Sequence, residues 1–114
     1  MAELISLLAD LRKSNTSDLH IVPETPVFVR RNGFLEAVKN SSFTEAEIKK
    51  IILSTSTPKA REILGKMRQV NYAHMIDGYP YRFAAFFDKG RFALSIRFVA
   101  PAPPKFQDLG FPDS

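Results

Sequence analysis

Residues 80–99, with the sequence PYRFAAFFDKGRFALSIRFV, carry the strongest fold signal in this chain. Large hydrophobic side chains alternate with small or basic ones on the C-terminal side of Lys89-Gly90, and a period of two is typical of a β-strand with one buried face. The pattern predicts a strand over about 80–88, a two-residue loop with Gly90 at positive φ, and a strand over about 91–99. In that register Arg82 lies opposite Arg97, and Asp88 lies opposite Arg91.

The predicted pairing of Arg82 with Arg97 is the first candidate for a functional site. Like charges that face each other across a sheet repel, at a cost of up to about 1 kcal/mol, unless a carboxylate or a bound anion lies between them. The planar fork of arginine matches phosphate oxygens, so a pair projecting beside Ala84 and Ser95 predicts a phosphate clamp. The same pattern also fits two arginines that are solvated or paired with a nearby Asp or Glu.

The rest of the chain adds a second hairpin of two strands, two further strands and three helices. Asn32-Gly33 predicts a type I′ turn between strands over 27–31 and 34–38. Shorter signals predict a helix over about 3–13, a strand at 18–22, a capping box from Thr44 to Glu47, a helix that begins near Pro58, and a strand over about 71–76. This order predicts an α+β fold, an antiparallel sheet with an N-terminal helix and a central helix pair packed mainly on one side.

Composition limits the class of protein. The chain has 114 residues and a formal net charge of +4, which suits one domain and does not by itself favour nucleic acid. The absence of cysteine excludes disulfides, thiolate metal sites and cysteine nucleophiles. No apolar run reaches the ~18 residues that a bilayer span needs, and Glu3 and Asp10 are unlike a signal peptide. We therefore expect a cytoplasmic domain over 1–100 without membrane insertion, followed by a proline-rich linker over 101–114.

Four other residues could carry chemistry. Asp18 and His20 share a strand face and could form an acid–base couple or bind a metal, but two ligands do not make a metal site, and a structural hydrogen bond is the simpler interpretation. His74 has no partner at ligand spacing, which favours a packing or surface role. Arg30 shares a side of its hairpin with Phe28, and this favours a structural ion pair beneath the sheet over ligand contact.

Two further features of the sequence bear on whether the chain binds nucleic acid or hydrolyses a nucleotide. Tyr72, Tyr79, Tyr81 and Phe86 could stack bases, but aromatic residues at alternating positions more often belong to a core, and we expect no nucleic-acid partner. Gly65-Lys66 is followed by Met67 rather than by Ser or Thr, and Ala60 stands where the first glycine of a phosphate-binding loop should be. We therefore expect this segment alone not to hydrolyse ATP.

Short motifs in a common order give the chain a family resemblance. It resembles the N-terminal, PAS-like domain of type II/IV secretion ATPases, especially the pilus retraction motors of the PilT family. The motifs span nearly the whole chain: Ser17-Asp18-Leu19-His20, Pro26, Arg30, Gly33, Thr44-Glu45-Ala46-Glu47, Arg82-Phe83, Arg97 and Leu109-Gly110-Phe111-Pro112.

The resemblance implies a function for the arginine pair. In this family the domain precedes a RecA-like ATPase domain, six subunits form a ring, and ATP with Mg²⁺ binds between the two domains. Arg82 and Arg97 match the arginines that reach the nucleotide phosphates. The implied role is a regulatory and oligomerisation domain of a pilus or secretion motor, with its own RecA-like domain and pilus or secretion base proteins as partners. The alternative is a stand-alone PAS-like module that binds a ligand or protein and catalyses nothing.

Overall fold

Six antiparallel strands form one sheet in the computed structural model, which describes residues 1–99. The spatial order is β3-β2-β1-β6-β5-β4. The first strand of the chain, β1, therefore pairs with the last, β6, at the centre of the sheet. The predicted linker over 101–114 lies outside the described residues. The elements are α1 (Ala2–Arg12), β1 (Thr16–Ile21), β2 (Pro26–Arg31), β3 (Phe34–Ser42), α2 (Glu45–Thr55), α3 (Pro58–Met67), β4 (Gln69–Ile76), β5 (Tyr79–Asp88) and β6 (Arg91–Phe98).

Tight two-residue turns set the register of three hairpins. Asn32-Gly33 has φ angles of 53° and 82°, which fit the type I′ turn that the sequence predicts there. Lys89-Gly90 has φ angles of 52° and 80° and fits the same turn type. Asp77-Gly78 follows the same pattern. The sequence predicts a positive φ only for Gly90, yet Lys89 also adopts the left-handed conformation. The twist of the two strands that it joins favours a turn with positive φ at both positions.

Side-chain caps begin both central helices as predicted. The Thr44 hydroxyl accepts a hydrogen bond from the Glu47 amide at 3.1 Å, and the Glu47 carboxylate accepts one from the Thr44 amide at 2.8 Å, which completes the capping box. Thr57 caps α3, and Pro58 occupies its first turn, where a missing N–H costs nothing.

All three helices pack on one face of the sheet. Their buried residues, among them Leu4, Leu8, Ile48 and Leu64, join one hydrophobic cluster with alternate residues of the central strands. The predicted α+β architecture is therefore confirmed. We call the opposite side of the sheet the open face; it carries Asn71, Ala73, Arg82 and Arg97, all of them exposed.

The strand boundaries differ from the predictions mainly at β3. This strand continues to Ser42 instead of ending near 38, because an edge strand exposed on nearly all of its length needs no hydrophobic alternation. Within residues 1–99, no helix has the length and apolar character required to span a membrane.

The left-handed turn residue provides a test of the hairpin geometry. Lys89→Asn should raise the free energy of unfolding by about 0.5 kcal/mol, because asparagine tolerates positive φ better than lysine. Lys13→Asn is the control with the same charge change at an ordinary φ of −78°. Urea unfolding of both variants makes the comparison, and a Lys89→Asn protein no more stable than Lys13→Asn would contradict the turn assignment.

Candidate functional site

The β5–β6 register brings Arg82 and Arg97 together on the open face. The two residues are direct cross-strand partners, as predicted. The adjacent pair, Phe83 and Ile96, points the other way and is buried against the helices. Because successive side chains alternate between the two faces of a strand, burying Phe83 and Ile96 forces both guanidinium groups to the open side.

Small side chains leave room beside the arginine pair. Ala73 is the β4 partner of Arg82, and Ala84 lies between Asn71 and Ser95 in the next row of the sheet. A shallow cavity of about 270 Å³ opens over this region of β1, β6, β5 and β4. Its lining includes both arginines, Ala84, Ser95 and Asp18, so a ligand in the cavity would meet two positive charges beside one carboxylate.

Neither Arg82 nor Arg97 takes part in an ion pair or side-chain hydrogen bond within residues 1–99. Other arginines of the chain do: Arg31 pairs with Glu36 at 3.5 Å, and Arg91 with Glu24 at 3.4 Å. Asp88 is the cross-strand partner of Arg91, as predicted. Among the described residues, the two facing arginines are solvated and unneutralised, which leaves them available to an anion.

Asp18, His20 and Ser95 form a hydrogen-bonded chain at the edge of the cavity. His20 Nε2 lies 2.8 Å from Asp18 Oδ2, and His20 Nδ1 lies 2.6 Å from the Ser95 hydroxyl oxygen. A carboxylate only accepts, so with a neutral imidazole Nε2 carries the proton and Nδ1 accepts from Ser95. The predicted hydrogen bond between Asp18 and His20 is therefore present. Within residues 1–99, no group of three or more metal-ligating side chains is assembled.

The prediction for Arg30 is wrong in its placement. This residue lies on the open face beside the exposed Phe28, not beneath the sheet, because Val27 and Val29 occupy the buried face of β2. Its Nε is 4.0 Å from Asp18 Oδ1, and the side chain is 47% exposed. The ion pair that the sequence favours exists, but at a distance and exposure that give it little energy.

His74 and the tyrosines belong to the helix-covered face. His74 packs edge-on against Phe83, which agrees with a packing role. Tyr72 stacks on Phe83 at 5.3 Å, and its hydroxyl hydrogen-bonds to that of Thr55. Burial raises the pKa of Tyr72, and the Thr55 hydrogen bond offsets part of that rise.

The aromatic residues considered for base stacking do not share one surface. Tyr81 is buried in the core, and the Arg12 guanidinium lies 3.6 Å from the ring centre of Tyr79 on the same side of the sheet. Phe86 pairs with Ala93 and faces the other way. The four rings therefore do not form one stacking surface.

Solved structures of a pilus retraction motor and of two DotB ATPases share this fold. The crystal structure of the pilus retraction motor PilT with bound ADP covers 96% of this chain at 25% identity and a TM-score of 0.81. The ATPase DotB of Legionella pneumophila covers 94% at 25% identity and a TM-score of 0.67. DotB of Yersinia pseudotuberculosis covers 97% at 15% identity and a TM-score of 0.68, which supports the fold alone.

These similarities confirm the resemblance to pilus and secretion ATPases that the sequence predicts. The chain spans 32%, 31% and 33% of the length of the three structures, respectively. No protein-family model and no curated protein sequence matches it.

Repulsion between the facing arginines should be measurable as a loss of stability. Arg82→Gln should raise the free energy of unfolding by about 0.5 kcal/mol at low ionic strength, because it removes one of two opposed like charges. In about 1 M salt, where charges are screened beyond ~3 Å, the gain should disappear.

The control is Lys66→Gln, which removes the same charge from an exposed helical ion pair with Glu62 at 3.6 Å. It should not stabilise the chain. Denaturant unfolding at both salt concentrations distinguishes the variants; a destabilising or salt-independent Arg82→Gln effect would show that the arginines do not repel each other.

Proposed function

We propose that this chain, which has the fold of the N-terminal domain of pilus retraction and DotB ATPases, supplies Arg82 and Arg97 to the phosphates of ATP held by a RecA-like ATPase domain. The observation that carries the proposal is the direct pairing of these two arginines on the open face with no ion-pair partner in residues 1–99.

The residues fit a polyphosphate and not a complete nucleotide site. Two guanidinium groups over a small-residue floor can each offer paired N–H donors to phosphate oxygens. The Gly65-Lys66-Met67 segment does not have the sequence of a phosphate-binding loop, so the principal ATP contacts, and any Mg²⁺, belong to the other domain. The contribution of this domain is positive charge aimed at the phosphoryl group as negative charge builds up on it.

Such an arrangement links nucleotide state to domain position. ATP bound between the domains draws Arg82 and Arg97 toward its phosphates, and loss of the terminal phosphate removes the attraction. The domain thus reports the nucleotide state within a cytoplasmic six-membered ring, with residues 101–114 as the connection to the ATPase domain. Motion of the two domains against each other would drive pilus or secretion base proteins.

The proposal is tested by ATP turnover in the protein that joins this chain to a RecA-like domain. Arg82→Ala and Arg97→Ala should each lower kcat by at least about 100-fold, since arginines that stabilise phosphoryl transfer contribute 10³–10⁵-fold. Lys66→Ala, which removes an equal charge from the far side of the sheet, should stay within about twofold of wild type.

Thermal unfolding by circular dichroism confirms that the variants are folded. Wild-type turnover in both arginine variants would contradict the proposal. So would a reading frame that carries no Gly-x-x-x-x-Gly-Lys-Ser/Thr loop after this domain, because that outcome favours a stand-alone module that binds a ligand or a protein.

A further inference from the structure

We propose that His20, itself fixed by Ser95, is a positioning residue that holds the Asp18 carboxylate away from Arg97. Both arginines thereby stay free to bind a polyphosphate. This inference rests on the proposed function, because it explains how the anion site is kept open. None of the three residues needs to contact the phosphates for the arrangement to work.

The sheet register places the Asp18 carboxylate next to one of the two arginines of the site. Asp18 is the direct cross-strand partner of Arg97 on β6, on the side opposite to Arg82. Opposite charges at such a position attract each other, and an arginine readily forms a bidentate pair with a carboxylate. A pair of this kind would neutralise half of the anion site. Within residues 1–99 it does not form: the Asp18 carboxylate has a hydrogen bond with His20 and lies near Arg30 instead.

Both carboxylate oxygens of Asp18 have other donors. Oδ2 accepts from His20 Nε2 at 2.8 Å, and Oδ1 accepts from the Ser17 hydroxyl at 2.7 Å. Arg30 Nε approaches Oδ1 from β2 at 4.0 Å. The Asp18 side chain is only 15% exposed, so it has little freedom to turn toward another partner. Ser17 and His20 lie on β1 together with Asp18, and Arg30 lies on β2, the neighbour of β1 on the side opposite to β6.

The imidazole of His20 is fixed from its other end. Ser95 is its direct cross-strand partner on β6, and the Ser95 hydroxyl lies 2.6 Å from Nδ1. With Nδ1 accepting from Ser95, the proton of the neutral ring is at Nε2, where it faces Asp18. The Asp18 carboxylate, which can only accept, sets this tautomer, and the Ser95 hydroxyl fixes the ring by donating to Nδ1.

Removing the His20 side chain should release Asp18 to Arg97. We expect His20→Ala to weaken binding of inorganic tripolyphosphate to the 114-residue chain by about fivefold, the factor that corresponds to one cross-strand charge pair. The double variant His20→Ala/Asp18→Asn should recover wild-type affinity, because no carboxylate is left to capture Arg97. His20→Gln, whose amide N–H can replace Nε2–H, should also bind like wild type.

Nuclear magnetic resonance supplies both readouts: tripolyphosphate titrations and, without ligand, the Nε–H signal of Arg97. In ligand-free His20→Ala that signal should shift as the new ion pair forms, and it should return in the double variant. A purely structural role for His20 predicts no such return. Should His20→Ala fail to fold, Ser95→Ala carries the test and should shift the Arg97 signal in the same direction.

The outcomes separate this inference from the proposed function. The positioning role is overturned if the Arg97 signal is unchanged in ligand-free His20→Ala, or in Ser95→Ala where that variant carries the test. It is also overturned if the double variant binds tripolyphosphate as weakly as His20→Ala. If Arg82→Ala and Arg97→Ala leave wild-type tripolyphosphate affinity intact, the arginine site itself is wrong, while the ligand-free Arg97 signal still decides the role of His20.

Discussion

The register of the β5–β6 hairpin is the constraint on which the site depends. Lys89-Gly90 allows only two residues in the turn, and the helices bury Phe83 and Ile96 on one face of the paired strands. A slip of one residue would expose the core set and bury the charged set, so the register is strongly specified. The hydrophobic core on one side of the sheet thereby fixes Arg82 opposite Arg97 on the other. Packing energy holds together two charges that electrostatics alone would separate.

Local pattern was enough to predict this hairpin, because alternation, turn and register all lie within residues 80–99. The same holds for the capping box at Thr44, whose partners are three residues apart. Pairing between distant segments could not be predicted in this way. Nothing in the sequence indicates that β1 inserts between β2 and β6, and so the link from His20 to Ser95, 75 residues away, was missed. The sequence pattern predicts the wrong face for Arg30 because the apolar Phe28 on its side of β2 suggests a buried face, although Phe28 is itself exposed.

The two faces of the sheet have different roles: one forms the hydrophobic core, and the other carries the candidate site. One face meets three helices and supplies the hydrophobic cluster that stabilises the fold. The open face carries small residues and two arginines that have no ion-pair partner within residues 1–99, an arrangement that does not stabilise the folded chain. Such local conflict with stability is typical of a surface shaped by what it binds. Under the proposed function, the counterpart of that surface is the phosphates of a nucleotide held by a second domain.

A structure of the protein that joins this chain to a RecA-like domain, bound to a non-hydrolysable ATP analogue, tests the central claim most directly. The account predicts guanidinium nitrogens of Arg82 and Arg97 at about 2.7–2.9 Å from phosphate oxygens, the distance of charge-assisted hydrogen bonds, with Asp18 still turned toward His20. Phosphates bound out of reach of both arginines, with Arg97 paired to Asp18 instead, would contradict it.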